Sequence, residues 1–255
     1  MCLILFSYKT HPNYKLVIAA NRDEFYERPT NPADFWKDHK NVLAGRDQEA
    51  GGTWMGINKN GSLALLTNYR DLSNLKKNAP SRGKLVSDFL VAYPHPKEYL
   101  ETIDLISYRY NGFNILLGNP DDLWYYSNIR KRIYMLGSGI YGLSNGLLDS
   151  PWPKVEKGKK KLGVILNKPS IDPSDLFTAL YDDKLASDDQ LPDTGVGLEK
   201  ERMLSSMFIK SPVYGTRCST VLMVDQDNNV IYSEKTYNTS TFESDTRTFN
   251  FKMGQ

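Results

Sequence analysis

Short apolar runs separated by turn-forming residues predict a protein rich in strands. Leu3–Tyr8 and Lys15–Ala20 are apolar on successive residues and are joined by a turn-like segment containing Pro12 and Asn13. We therefore expect a hairpin of two strands that are buried on both faces. Further strands are expected over Thr53–Asn58, Leu63–Asn68, Phe113–Gly118, Leu123–Ser127, Ile140–Leu143, Cys218–Asp225, Val230–Lys235 and Thr246–Lys252.

Helical segments are expected mainly in the middle of the chain, and Asp182–Gly197 is expected to be a polar loop. The chain shows no internal repeat and no linker that would divide it. Strands at both ends with helices between them predict one layered domain over residues 1–255. The expected helices are Gly83–Tyr93, Pro96–Tyr108, Pro153–Leu166, Pro173–Tyr181 and Glu199–Phe208.

Composition and charge narrow the class of protein. The 255 residues are 40% hydrophobic and 24% charged, with a net charge of +2, so no basic surplus points to nucleic acid. No apolar stretch reaches the roughly 20 residues of a membrane-spanning helix. The short apolar start lacks the features of a signal peptide, and two cysteines cannot form a disulfide framework. We expect a soluble, cytoplasmic protein.

The cysteine at position 2 is the first feature that suggests chemistry. Methionine is generally removed before a small residue, and the freed α-amine of Cys2 would have a pKa of about 7.7–8.0. That amine could act as the general base for its own thiol, so no catalytic histidine is required. His11, His39 and His95 have no metal-ligating partner at a useful spacing, and we expect neither a metal nor a cofactor. The alternative is that Cys2 is a buried core residue.

A polar cluster, Asn21-Arg22-Asp23-Glu24, follows the second apolar run. If the first hairpin turns near Pro12, antiparallel pairing places Asn21 or Arg22 across from Cys2 or Leu3. Charged groups there would tune the thiol, with arginine favouring the thiolate and the carboxylates opposing it. The alternative is a salt-bridged surface corner after a strand.

Several ordered motifs resemble the NRDE family, also called transport and Golgi organisation 2. The resemblance runs from end to end of the chain. The motifs are the Met-Cys start, Ala-Ala-Asn-Arg-Asp-Glu-Phe at 19–25, Gly-Gly-Thr-Trp at 51–54, Leu-Thr-Asn-Tyr-Arg at 66–70, Tyr-Asn-Gly-Phe-Asn at 110–114, Tyr-Gly-Leu-Ser-Asn at 141–145 and Tyr-Gly-Thr-Arg at 214–217.

This resemblance implies an α+β fold, the four-layer αββα sandwich of the N-terminal-nucleophile hydrolases. The group nearest in pattern contains conjugated-bile-acid hydrolases and penicillin V acylase, which cleave amides. By that similarity Asn68 and Asn145 match two asparagines that help to form the oxyanion site, and Arg217 matches a late arginine near the sulfur. A gapless alignment of the second strand places Asn21 at the arginine position and Glu24 at the aspartate position of those acylases. A shift of one residue offers Arg22 instead.

Structural roles remain open for these residues. Asn68 could end a strand, Asn145 could form a turn and Arg217 could be a solvated charge. Cys218 should point to the sheet face opposite Arg217 and belong to the core. Lys157–Lys161 should form a solvated helix face.

Two functions follow from the sequence. The first is hydrolysis of a C–N bond of a small molecule through a Cys2 thioester. The second is a non-catalytic binding or carrier protein linked to haem or to lipid and acyl-CoA handling, which the family resemblance also suggests. The residues themselves identify neither the substrate nor the oligomeric state.

Overall fold

The structure is a computed structural model, and it describes residues 2–254. Within this range the chain forms antiparallel strands, helices, and short 3₁₀ turns at Ser107–Arg109 and Asp188–Gln190. The strands are β1 (Cys2–Tyr8), β2 (Tyr14–Phe25), β3 (Thr30–Phe35), β4 (Val42–Asp47), β5 (Met55–Asn58), β6 (Leu63–Asn68), β7 (Phe113–Asn119), β8 (Asp122–Ser127), β9 (Arg132–Met135), β10 (Gly139–Leu143), β11 (Tyr214–Asp225), β12 (Asn229–Tyr237) and β13 (Ser244–Lys252). The α-helices are α1 (Gly83–Ala92), α2 (Pro96–Ile106), α3 (Pro153–Ile165), α4 (Pro173–Leu180) and α5 (Leu198–Leu204). No helix in the described part of the chain is long and apolar enough to span a membrane.

The chain divides into two compact units. The first contains the chain up to Glu27 together with Arg70–Ser73 and Ser138–Asn250. The second contains Arg28–Tyr69, Asn74–Gly137 and the residues from Phe251 onward. The single domain expected over residues 1–255 stays a prediction.

The first unit is built on a sheet with the strand order β10-β1-β2-β11-β12-β13. Its central strands pair antiparallel. All residues of β1 are buried, as the unbroken apolar run predicts. Helices α3 and α4 cover one face of this sheet, where Leu3, Leu5 and Val17 pack against Leu162 and Phe177 in one hydrophobic cluster.

Helix α3 runs in the same direction as β1. A Cβ added at Gly158 would lie only 2.6 Å from a methyl group of Leu5, so the helix backbone packs directly on the strand there. At the other end, His11 Nε2 donates to the carbonyl of Lys168 at 2.9 Å. Together these two contacts set the position of α3 along β1. The first turn of α3 therefore lies near the start of β1.

The second unit is built on a sheet with the order β3-β4-β5-β6-β7-β8-β9. Helices α1 and α2 pack on it through Phe89 and Leu100, which join a cluster with Val42 and Phe113. The predicted hairpin between β5 and β6 is confirmed, and Gly61 takes the left-handed conformation (φ +93°) that its turn requires.

The structure also corrects several predicted elements. Strand β2 continues beyond Ala20 to Phe25, so the polar cluster lies inside the sheet. Helix α5 ends at Leu204 rather than Phe208, because the backbone N–H groups of Met207 and Phe208 both donate to the carbonyl of Asp182. Strands β3, β4 and β9 were not predicted.

Candidate active site

Cys2, Arg22 and Cys218 form a row across three neighbouring strands. Arg22 pairs with Cys2 on one side and with Cys218 on the other. Directly paired residues of antiparallel strands share a sheet face, so these three side chains lie on the same face. The predicted hairpin register is therefore confirmed, and Arg22 is the member of the polar cluster that faces Cys2.

Arg22 brings a guanidinium group into this buried row. Its exposed fraction is 6%, and its Nη2 atom lies 3.6 Å from a carboxylate oxygen of Glu24. Cys218 is buried as expected, and it lies in the same row as the candidate nucleophile. Burial, followed by the charge of Glu234, raises the pKa of Cys218 well above its ordinary value.

Asn21 faces the other side of the sheet, because side chains alternate along a strand. Its amide donates to the carbonyls of Leu180 at 3.2 Å and Met207 at 2.8 Å, and its oxygen accepts from Ser219 at 2.6 Å. Of the two predicted partners on β1, Cys2 or Leu3, the residue opposite Asn21 is Leu3. These bonds tie α4 and the segment after α5 to the sheet.

Asp23 is a buried carboxylate, with an exposed fraction of 1%. The hydroxyl of Thr216 donates to it at 2.7 Å. Burial raises the pKa of Asp23, while Lys154, the Thr216 hydrogen bond and Arg22 oppose the increase. The site thus contains an acidic group that interacts with several cations.

Asn145 lies just beyond β10, next to the start of β1. Strand β10 pairs with β1 up to Leu143 opposite Ile4, and continuation of that register leads to Asn145 opposite Cys2. The neighbouring Ser144 hydroxyl donates to the carbonyl of Cys2 at 3.1 Å. Asn145 is fully buried and its carbonyl accepts from the backbone N–H of Arg70 at 2.8 Å. Its proposed role as an oxyanion donor fits this position and stays a prediction.

Arg217 sits at a β-bulge, where the pairing of β11 with β2 shifts between Thr216 and Cys218. The bulge redirects the side chain toward the end of β2. There its Nη1 atom donates to the carbonyls of Phe25 at 3.0 Å and Tyr26 at 2.9 Å. Arg217 is thus not simply a solvated charge, and its catalytic role remains a prediction.

Asn68 belongs to the second unit, at the end of β6, where it pairs with Phe113 of β7. Asn68 therefore ends a strand, which is the structural alternative to a catalytic role. Its assignment to the oxyanion site stays a prediction.

The thiol of Cys2 is not activated in the chain that retains Met1. Burial raises its pKa to about 11; Asp23 adds to the increase and Arg22 opposes it. In this form of the chain, desolvation of the thiolate outweighs the effect of the nearby cation.

Two cationic residues near this site were not predicted from the sequence. Arg70 is buried and its Nη1 atom lies 2.6 Å from a carboxylate oxygen of Glu201, while its guanidinium stacks over the Trp152 ring at 4.8 Å. Lys154, in the first turn of α3, is 3% exposed. One feature of the sequence could have drawn attention to Lys154. It directly follows Pro153 at the start of a helix, where acidic residues are favoured over lysine.

A cavity of about 600 Å³ lies within the first unit, beside Lys154. This size is typical of small-molecule sites. Of its acidic residues, Asp182 is already ion-paired with Lys157 and Lys161. The charged residues that line the cavity are Lys154, Glu156, Lys157, Lys160, Asp182 and Lys184.

Two solved structures have a similar fold. A mutant conjugated bile acid hydrolase from Clostridium perfringens has a TM-score of 0.50 and 10% identity, covering 100% of this chain and 99% of that chain. The N-acylethanolamine-hydrolyzing acid amidase orthologue of Caenorhabditis elegans has a TM-score of 0.50 and 10% identity, covering 87% of this chain and 92% of that chain. This likeness confirms the predicted α+β fold class of the N-terminal-nucleophile hydrolases. Each unit supplies one antiparallel sheet with its helices, the components of the predicted αββα sandwich.

Comparison of sequences identifies the family. The chain is 39% identical over 256 residues to the Transport and Golgi organization protein 2 homolog of Bos taurus, with 92% of each chain covered. It is 36% identical over 275 residues to the Homo sapiens homologue, with 99% of each covered, and 28% identical over 264 residues to the Drosophila melanogaster protein, with 92% of each covered. Residues 1–239 match the family model described as Transport and Golgi organisation 2. The chain therefore belongs to the Transport and Golgi organisation 2 family, as its motifs predict.

Proposed function

We propose that this protein, after removal of Met1, is a cytoplasmic N-terminal cysteine hydrolase that cleaves a C–N bond of a small molecule. The observation that carries the proposal is the position of Cys2. It opens a buried strand beside the guanidinium of Arg22, in a fold shared with amide-cleaving enzymes. Asp23 provides a buried carboxylate that would bind and orient the freed α-amine.

The reaction proceeds through a thioester. The free α-amine of Cys2 takes the proton of the thiol, and the sulfur attacks the carbonyl carbon of the amide. Asn145 stabilises the oxyanion, and loss of such a donor costs roughly 10²–10³ in rate. The C–N bond then breaks as the α-ammonium gives its proton to the leaving amine. Water, deprotonated by the same amine, attacks the thioester and releases the acid.

The cavity beside Lys154 is the candidate binding space for part of the substrate. Its lysines outnumber its acidic residues, one of which is already ion-paired. The charge balance favours a substrate that carries an acidic group.

A binding or carrier role, linked to haem or to lipid and acyl-CoA handling, is the second candidate. The observation that favours it is the raised pKa of the Cys2 thiol, which keeps the sulfur protonated at neutral pH in the chain that retains Met1. In this case the cavity holds a ligand and the sulfur plays no chemical part.

Acyl-enzyme trapping separates the two candidates. Processed protein is incubated with p-nitrophenyl acetate, and the acetylated peptides are mapped by mass spectrometry. We expect one acetyl group on Cys2 and none on Cys218. In a Cys2→Ala variant, we expect no acetyl group at position 2 or on Cys218. Absence of an acetyl group on Cys2 would contradict the hydrolase proposal and favour the binding role.

A further inference from the structure

The connection between β10 and α3, residues 144–152, carries Asn145 near its start and Trp152 at its end. It has no regular secondary structure, yet Asn145 is fully buried and stabilises the oxyanion in the proposed reaction. Such a donor must lie about 2.7–3.1 Å from the oxyanion, and a misplacement of about 1 Å can cost on the order of 10² in rate. The proposed reaction therefore requires that this connection be held firmly in place.

Arg70 contacts both ends of the connection. Its backbone N–H donates to the carbonyl of Asn145 at 2.8 Å, and its guanidinium stacks over the Trp152 ring at 4.8 Å from the ring centroid. The backbone of Trp152 is fixed in turn, because its carbonyl accepts from the N–H groups of Val155 at 2.8 Å and Glu156 at 3.0 Å in the first turn of α3. Arg70 thus links the position of Asn145 to the start of a helix.

Glu201 on α5 holds the guanidinium of Arg70. Its carboxylate oxygen Oε2 lies 2.6 Å from Nη1 of Arg70, and both side chains are buried. The other oxygen, Oε1, accepts from the backbone N–H and the hydroxyl of Thr194. A buried ion pair often contributes no more stability than an apolar pair of similar size, so its presence here favours a role in fixing geometry.

The hydroxyl of Ser144 adds a contact with the side chain of Asn145. It lies 3.4 Å from Oδ1 of Asn145 and 3.1 Å from the backbone carbonyl of Cys2. Ser144 therefore links the side chain of Asn145 to the residue that carries the proposed nucleophile, while Arg70 holds the Asn145 backbone.

We propose that Arg70 is a positioning residue that holds Asn145 in the geometry needed to stabilise the oxyanion. Arg70 acts through its backbone hydrogen bond to Asn145 and its stack on Trp152, and Glu201 fixes its side chain. The inference rests on the proposed function, in which Asn145 donates to the oxyanion formed when Cys2 attacks a carbonyl.

Two reactions of Cys2 test this role. Attack on p-nitrophenyl acetate forms a C–S bond at the carbonyl carbon and passes through an oxyanion before p-nitrophenolate leaves. Attack on iodoacetamide forms a C–S bond at the CH₂ carbon and expels iodide, without an oxyanion. Both reactions use the thiolate, so a change in the pKa or the accessibility of the thiol affects both rates. The ratio of acetylation to alkylation therefore reports on the oxyanion site.

The main variant is Arg70→Met, measured in processed protein at one neutral pH with the modified Cys2 peptide quantified by mass. We expect the ratio of acetylation to alkylation to fall about tenfold, as for a displacement of Asn145 by a fraction of 1 Å. The matched control is Arg202→Met, which removes an exposed arginine of α5 that is ion-paired with Asp188, and it should leave the ratio unchanged. An unchanged ratio in Arg70→Met would overturn the inference.

A double-mutant cycle with Asn145→Ala shows whether Arg70 acts through Asn145. In the Asn145→Ala background, Arg70→Met should lower the ratio no further. A tenfold loss in that background as well would overturn the inference, because Arg70 would then act independently of Asn145. If Arg70→Met does not fold, as judged by circular dichroism, Trp152→Leu carries the same test, since it removes the stacked ring and keeps the ion pair with Glu201.

The inference and the proposed function fail in different ways. Acetylation of wild-type Cys2 with an unchanged ratio in Arg70→Met would reject the positioning role and retain the hydrolase. Absence of acetylation on wild-type Cys2 would reject both, because no oxyanion would then be stabilised.

Discussion

Replacement of Asn21 by alanine tests whether this residue is structural, as its hydrogen bonds indicate. Its fully buried amide donates to the carbonyls of Leu180 and Met207, and its oxygen accepts from Ser219. Removal of the side chain would take this partner from both carbonyls, whereas the Ser219 hydroxyl keeps its hydrogen bond with Tyr237. A buried polar group left without a partner costs about 1–3 kcal/mol, and partial rearrangement leaves an expected total of about 3 kcal/mol.

For a chain of this size, such a loss lowers the melting temperature by about 6–12 °C. Urea denaturation and thermal melting of Asn21→Ala measure it. The matched control is Asn13→Ala, which removes an exposed amide that donates to the carbonyl of Pro169 at 2.7 Å, and we expect it to change stability by less than about 0.5 kcal/mol. A loss below about 1 kcal/mol in Asn21→Ala would refute the structural role and return Asn21 to the candidate catalytic residues.

Three further substitutions test the packing of the first unit. Gly158→Ala should destabilise the protein by about 1–3 kcal/mol, because the new Cβ would lie 2.6 Å from a methyl group of Leu5. Gly163→Ala on the same helix should instead stabilise it by about 0.5–1 kcal/mol, because the new Cβ would lie 3.9 Å from a methyl group of Ile140. Equal effects of the two substitutions in urea denaturation would show that α3 does not pack as described. Glu201→Gln should cost about 3–5 kcal/mol, because it leaves the buried guanidinium of Arg70 without its carboxylate, and a melting temperature unchanged from wild type would contradict the importance of this pair.

The sequence predicted the first hairpin well, because apolar runs and a proline-containing turn limit its register. It could not decide between Asn21 and Arg22. A shift of one residue moves every side chain of a strand to the other face, and only the folded turn fixes that shift. Local sequence also could not show that β2 continues beyond Ala20, because Asn21 and Asp23 form hydrogen bonds with residues far away in the chain.

Other parts of the site depend on contacts that local sequence does not encode. The bulge that redirects Arg217 arises from the pairing of β11 with β2. Lys154 reaches the start of β1 only because Gly158 allows close packing on Leu5. Strands β3 and β9 lie at the edges of their sheet and carry exposed polar residues, so they lack the apolar runs that indicated the central strands.

The most direct test of the account compares the alkylation of Cys2 in two forms of the protein. One form begins at Cys2, and the other retains Met1 because it is produced with methionine aminopeptidase inhibited; intact mass verifies each. In the form with Met1, burial holds the thiol pKa near 11, so iodoacetamide should label Cys2 appreciably only at high pH. In the processed form, the free amine and the nearby cations should allow labelling of Cys2 below pH 8.5, much faster than labelling of the buried Cys218. Equal rates at the two cysteines, or a Cys2 profile that rises only above pH 8.5 in the processed form, would contradict an activated N-terminal nucleophile.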